Sequence, residues 1–356
     1  GLLEEVAPRG GEEEGAVVRT VGTRLSGDQV SIVNGMMADD DYTESGKRHR
    51  AWVSSHPDLL DASLDLGRWT WDHNNQNVRM VYHMDPDLTH FVLQVSAVGP
   101  DLAGRSHWTF RNLNFMGVVP VDDAATTGIS YEGVSIQGVG LSEGIVDFLG
   151  SNSDLTGFVI NGTGTSIDRS NFTLCPNSCV EILGSRVSVT NSSFTYSQLN
   201  AGAYSGTIHV KGSDIDVRNN YLSELGTSGI VFNRDADRVR ISQNRIENWG
   251  RLAYSRAGGV SGFYHGTGSI EVDSNVILNQ SVIDVPETDP LPGVGLNLMF
   301  GRNNVFAHHN IIDYAMVGIR LGGFYGNPED NSQNNTIVSN TVGANTRYGW
   351  LRVQMA

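Results

Sequence analysis

VRNNYLSELGTSGIVFNRDADRVRISQNRI, residues 217–246, carries one six-residue pattern twice: apolar-x-x-Asn-x-apolar, first as VRNNYL and again as ISQNRI. Working outward, the pattern returns as VDSNVI at 272–277, AHHNII at 307–312 and IVSNTV at 337–342. Its asparagines are Asn220, Asn244, Asn275, Asn310 and Asn340, separated by 24, 31, 35 and 30 residues. Toward the N-terminus serine replaces asparagine, in IDRSNF at 167–172 and VTNSSF at 189–194, and fainter copies begin at Phe110 and Tyr131. A motif recurring at intervals of this size marks a repeat architecture, so it is read before any local structure.

Between copies lies a second short apolar alternation opened or closed by glycine: GIVDFLG at 144, CVEILGS at 179, GTIHVKG at 206, GIVFNRD at 229, GGVSGFY at 258, GVGLNLMFG at 293 and VGIRLGG at 317. Strands of three to five residues cannot bury an apolar face alone, but stacked coil on coil they can. Asparagine suits the corner because it tolerates left-handed backbone angles, and amides stacked at the strand spacing of ~4.8 Å can hydrogen-bond along a ladder. Loops of different length leaving one corner account for the uneven intervals. No stretch sustains a helical apolar face over three turns, so the chain is expected to be all-β. A sandwich or barrel also uses short glycine-punctuated strands, but does not repeat one Asn motif at one strand end.

This pattern resembles the right-handed parallel β-helix repeat proteins, the pectate-lyase-like superfamily, over residues 105–356. The resemblance implies a solenoid of stacked coils. Because IVSNTV and YGWLRVQ run off the end without a polar cap, further coils or a protein partner are expected to cover that end. Residues 1–104 are expected to form a small β-rich and loop region: 1–50 are acidic and aperiodic, and RWTWD to VRMVYH reads as a hairpin turned by HNNQN. The order of that hairpin and the coil HWTFRNLNF, within 51–118, is similar to the entry region of secreted β-helix enzymes around glycoside hydrolase family 141. That resemblance implies α-fucosidase or xylanase activity and carries over no catalytic residue.

Lys and Arg total 24 against 39 Asp and Glu, a formal charge of −15, which leaves no basic face for a nucleic acid or an anionic membrane. No apolar run reaches the ~18 residues of a membrane span. The chain begins with Gly1 and lacks a signal-peptide pattern, so it is expected to be processed or a fragment. Sequons at Asn161, Asn171, Asn191, Asn279 and Asn334 are candidate glycosylation sites and agree with an extracellular location. Cys175 and Cys179 are the only cysteines, either bridged in a short loop or two free thiols.

Aligning the glycine-bounded strands gives an outward row of Asp147, Glu181, His209, Val231, Ser261, Asn297 and Arg320. Adjacent coils would set Asp147 and Glu181 ~5 Å apart, a separation suited to a retaining glycosidase. In that reading Asp147 is nucleophile or base, Glu181 acid and His209 the orienting group, with Lys211 as a cationic handle. Outward polar residues on a solvated face are the competing explanation. Loops leaving one strand end bring a second cluster, Arg234, Asp235, Arg251, Tyr254, Tyr264 and His265, suited to pyranose stacking and hydroxyl contacts, or simply to loop packing. Asp284, Glu287 and Asp289 lie on a proline-rich insertion and are candidates for Ca2+; an exposed acidic loop is the plainer reading, and no cofactor is assigned. His308 and His309 are adjacent, so regular strand geometry would aim them at opposite faces and no metal is assigned to them.

The expected function is a secreted polysaccharide-active enzyme, a glycoside hydrolase using paired carboxylates. The alternative is a non-catalytic extracellular structural or adhesive module. A third reading is a polyuronate lyase or epimerase, with Arg302 and Arg320 as the charge-neutralising cations. An open groove at Asp147 and Glu181 would favour the enzyme; burial of that face would favour the module.

Overall fold

In the computed structural model of the 356-residue chain, the described residues are strands at 3–6, 17–22, 31–33, 69–72, 77–82 and 92–94. They continue through 98–116, 119–137, 157–175, 178–198, 206–250, 257–263, 266–281, 293–299, 302–322, 333–346 and 351–354. The chain divides into two units, residues 1–97 with 143–145, and 98–142 with 146–356. In the first, Leu3–Val6, Val17–Gly22, Asn77–Tyr82 and Trp69–Asp72 form an antiparallel sheet in that order, and Ser31–Val33 pairs with Val92–Gln94. Trp69–Asp72 and Asn77–Tyr82 are the expected hairpin, with Asp72 opposite Asn77.

The second unit is a parallel β-helix. Three parallel sheets run along it, two of nine strands and one of eight, and each rung from Ser130–Glu132 onward contributes one strand to each sheet. The first sheet runs from Thr109–Arg111 to Thr336–Val338, the second from Asn114–Met116 to Thr341–Val342, and the third from Phe158–Ile160 to Leu351–Gln354. No described residue is helical, and no described helix could cross a membrane.

Register follows the six-residue motif. The apolar residue opening each copy stacks on its counterparts in the first sheet: Ile167, Val189, Val217, Ile241, Val272, Ala307 and Ile337. The residue closing each copy does the same in the second: Phe172, Phe194, Leu222, Ile246, Ile277, Ile312 and Val342. Together with Val180, Ile208, Ile230, Val260 and Leu296 of the third sheet they form one continuous core. Like side chains stack along it, as with the Phe172 and Phe194 rings at 4.7 Å.

The asparagines between them build the ladder. Asn275 Oδ1 accepts from both the backbone N–H and Nδ2 of Asn244, each at 3.0 Å. Asn275 in turn donates from Nδ2 to Ile241 O and to Asn310 Oδ1, both at 2.9 Å. Asn220 to Asn244 and Asn310 to Asn340 repeat the arrangement, and serines extend it, Ser170 N–H donating to Ser192 Oγ. The left-handed angle, however, belongs to the residue before the ladder position. Asn191, Asn219, Gln243, Ser274, His309 and Ser339 have φ of 52°, 56°, 56°, 55°, 53° and 53°. The ladder residue must aim its amide into the corner, and its predecessor absorbs the reversal.

Glycine has a specific task in the third sheet. A Cβ on Gly259 would stand 2.3 Å from Ile277 Cγ2, and one on Gly295 2.3 Å from Ile312 Cγ2. The third sheet therefore approaches the isoleucines of the second closely enough that only glycine fits. Cys175, ending a second-sheet strand, is disulfide-bonded to Cys179, with Cα atoms 5.2 Å apart.

Candidate functional site

The third sheet sets Glu181, His209, Val231, Ser261, Asn297 and Arg320 in register on successive strands, as the sequence alignment has them. These residues alternate with the core positions, so they occupy the face opposite the core. The register corrects the start of the row. Val159, on Phe158–Ile160, is the residue beside Glu181, so Asp147 does not occupy that position; Asp147 itself lies outside the described residues. A glycine-bounded apolar triplet is too short a signal to single out one of two candidates in the same rung.

The row is not a solvated face. Glu181, His209, Ser261, Asn297 and Arg320 are all buried, Glu181 at 4% exposure and Asn297 at 0%. Glu181 Oε1 meets the Lys211 ammonium, and Lys211 is itself half-buried just past the strand carrying His209. Beyond that ion pair, Glu181 Oε1, His209 Nε2, Ser261 Oγ and both side-chain polar atoms of Asn297 have no hydrogen-bond partner among the described residues. Burial, reinforced by the Lys211 ammonium, pushes His209 down to about 3, so its ring is neutral at physiological pH. Unpaired buried polar atoms cost about 1–3 kcal/mol each. Val159 and Val231 fill the same row at other rungs without that cost, so the sheet does not require polar residues here. Chemically, the row offers a carboxylate with its counter-ion, a neutral imidazole, a hydroxyl and an amide along one line, spaced by the strand separation.

The other expected residues divide. Arg234 and Asp235 are exposed and 3.8 Å apart as a loose pair. Arg251, Tyr254, Tyr264 and His265 lie outside the described residues, as do Asp284, Glu287 and Asp289. Arg302 is no free cation for a uronate. Its guanidinium donates to the carbonyls of Asn233, Ala236 and Gly268 at 3.2, 3.1 and 2.8 Å and lies over the Phe232 ring. Arg320 is buried in the row. Among the sequons, Asn171, Asn191, Asn279 and Asn334 are exposed, whereas Asn161 is half-buried with Nδ2 donating to Asp122 O at 3.2 Å.

His308 and His309 do not diverge. His308 ends the strand Val305–His308, and His309 occupies the left-handed corner, φ 53°, which swings its ring back toward its neighbour. Their Nδ1 atoms are 2.8 Å apart. Sequence reasoning missed this by extending strand geometry past the strand. The ladder asparagine at 310 was the available signal, because it marks the preceding residue as the turning one.

The model of the right handed beta helix region matches residues 206–351. No curated protein sequence matches the chain. Among solved structures, a glycoside hydrolase is similar at 12% identity over 81% of this chain and 56% of that one, with a TM-score of 0.51. The tailspike protein of E. coli bacteriophage HK620, solved with a pentasaccharide, is similar at 11% identity over 72% of this chain and 53% of that one, with a TM-score of 0.41. An alginate lyase from Paenibacillus sp. str. FPU-7 is similar at 13% identity over 62% and 69%, with a TM-score of 0.40. The chain spans little more than half the length of the first two. Parallel register over three sheets, the amide ladder and the matched region together make this a right-handed parallel β-helix protein.

Proposed function

We propose that the chain belongs to a secreted polysaccharide-active enzyme, a glycoside hydrolase whose chemistry uses the polar row of the third sheet. The carrying observation is that this row buries Glu181, whose Oε1 meets Lys211, together with His209, Ser261 and Asn297, whose polar atoms have no partner among the described residues, where valine serves elsewhere. Sugar hydroxyls are donors and acceptors at spacings such a line of groups can meet. Glu181, ion-paired with the Lys211 ammonium, is the carboxylate that the row itself supplies. His209, neutral, orients rather than carries charge. Glycoside hydrolysis needs a second carboxylate, and Asp147, which is not the register partner of Glu181, is the candidate that the test includes. The glycoside hydrolase with the same fold agrees with this reading. Secretion is supported by the Cys175–Cys179 bridge, which persists in oxidising compartments.

The closed state of the row favours a second reading, a non-catalytic extracellular module whose polar row serves the assembly of the rod. A lyase loses support, since neither arginine offered for it is accessible. The test is reducing-sugar release from a polysaccharide panel by the wild type, Glu181→Gln and Asp147→Asn, with circular dichroism confirming folding. The hydrolase reading expects a loss of about 100-fold or more in each variant. Equal release from all three removes the assignment, and glycan binding without release by the wild type supports the module.

A further inference from the structure

Four ionisable side chains meet on the outer side of the first sheet, away from the polar row. Asp273 and His308 are register partners on adjacent rungs, and Glu271 lies two residues before Asp273 on the same face. The left-handed corner adds His309. Three ligand atoms converge: His308 Nδ1 to His309 Nδ1 at 2.8 Å, His308 Nδ1 to Asp273 Oδ1 at 3.1 Å, and His309 Nδ1 to Asp273 Oδ1 at 3.7 Å. Ligands on a tetrahedral zinc ion with bonds of about 2.0–2.1 Å stand about 3.3 Å from one another, inside that range.

The remaining contacts fix what those atoms present. His308 Nε2 is 3.1 Å from Glu271 Oε1, which suits Nε2–H donating to the carboxylate. In that tautomer Nδ1 carries a lone pair, and it points at the lone pairs of Asp273 Oδ1. Such an approach is repulsive unless a cation sits between them. A carboxylate on the far nitrogen of a ligating histidine is also the usual way a metal site fixes its ring. The Phe306 ring, two residues earlier on the same strand, packs 4.1 Å from that of His308. Ser274 Oγ donates to Asp273 Oδ1 at 2.8 Å. Arg240 stands 3.4 Å from Glu271 Oε2 and 3.6 Å from Asp273 Oδ2, on the oxygens turned away from the cluster, so it offsets one of the two negative charges and leaves room for a cation. His309 is 63% exposed at its side chain and Asp273 and His308 only 14% and 12%. The triangle is therefore supported from beneath and open above.

We propose that Asp273 Oδ1, His308 Nδ1 and His309 Nδ1 bind a divalent first-row transition metal ion of the zinc type, with its remaining position open to solvent. Two imidazoles and a carboxylate select against Ca2+ and Mg2+, which take oxygen ligands. Three protein ligands and one open position also leave the ion able to take water or an external ligand.

The test is titration of the untagged chain with Zn2+ against a chromophoric chelator, repeated with Co2+ for its visible absorption. His309→Asn is the informative variant. Asparagine tolerates the left-handed angle and stands at the equivalent corners 191 and 219, so the backbone is kept while the ring nitrogen goes. Asp273→Asn is the second, with circular dichroism confirming that both fold. One saturable equivalent in the wild type, weakened at least 10-fold in both variants, is expected. No stoichiometric binding, as when a protonated His308 simply bridges Glu271 and Asp273, or unchanged affinity in His309→Asn, overturns the site.

Discussion

Asn275→Ala tests whether the amide ladder, rather than apolar stacking alone, fixes the rungs. Asn275 is fully buried. Its Oδ1 is the acceptor for two donors of Asn244, and its Nδ2 supplies Ile241 O and Asn310 Oδ1. Alanine removes all four bonds and leaves an N–H and an amide N–H of Asn244 without acceptors inside the corner. At about 1 kcal/mol per lost bond, and up to about 3 for a stranded buried group, the loss is about 3–5 kcal/mol. For a unit of this size that lowers Tm by roughly 10 °C. Two comparisons isolate the cause. Asn275→Ser should cost roughly half as much, because a serine oxygen accepts the preceding rung's N–H, as Ser192 does for Ser170. Asn340→Ala should cost about 1 kcal/mol, since Asn340 is half-exposed and water can replace its amide. Urea unfolding followed by both circular dichroism and tryptophan fluorescence measures the series, the two probes guarding against rung-by-rung melting. Equal losses in Asn275→Ala and Asn340→Ala, or a loss under ~0.5 kcal/mol at Asn275, would refute the ladder as a source of stability.

Gly259→Ala is expected to destabilise by about 1–3 kcal/mol although alanine is small, because its methyl would press on Ile277 Cγ2; Gly259→Ala combined with Ile277→Leu, which has no second branch at Cβ, should recover part of the loss, and thermal melts of the three proteins decide it. His209 makes stability pH-dependent. Its folded value near 3 lies below the unfolded 6.5, so below pH 6.5 the unfolded chain takes a proton that the fold does not. Stability attributable to it is complete above 6.5 and falls by at most about 1.4 kcal/mol per unit toward pH 3. Urea midpoints between pH 7 and 4 should therefore drop less in His209→Gln than in the wild type, and parallel curves would contradict the buried neutral ring.

What could be read from the residues was what the stacking repeats. Five asparagines at uneven intervals shared one corner because the hydrogen bond they make is to one another, so loop length does not disturb it. The same stacking carried the row from Glu181 to Arg320, strand by strand. It failed where the signal was local. Between Gln137 and Phe158 a glycine-bounded GIVDFLG looks like a rung, yet the strand that pairs with Val180–Ile182 is Phe158–Ile160, and three-residue strands hold too little pattern to decide. Burial of the row was also beyond the alternation, because period two separates the core face from its opposite and says nothing of what lies over the opposite face.

The corner joins these observations. A β-helix gains rigidity from repeating one bond, and the residue before each bond is free to vary provided it accepts a left-handed angle. Arginine, asparagine, glutamine, serine and histidine all occupy that place here. The angle turns the corner side chain back toward the last outward residue of the strand before it, which an extended chain never does. In most rungs the pair is unremarkable, as with Arg169 beside Asp168. At His308 and His309 the same geometry gathers two imidazoles over the carboxylate of the next rung. A search of β-helix sequences for coordinating residues should therefore read the two positions before each ladder asparagine as one cluster, together with the matching position one rung away. Strand alternation taken alone separates residues that this turn brings together.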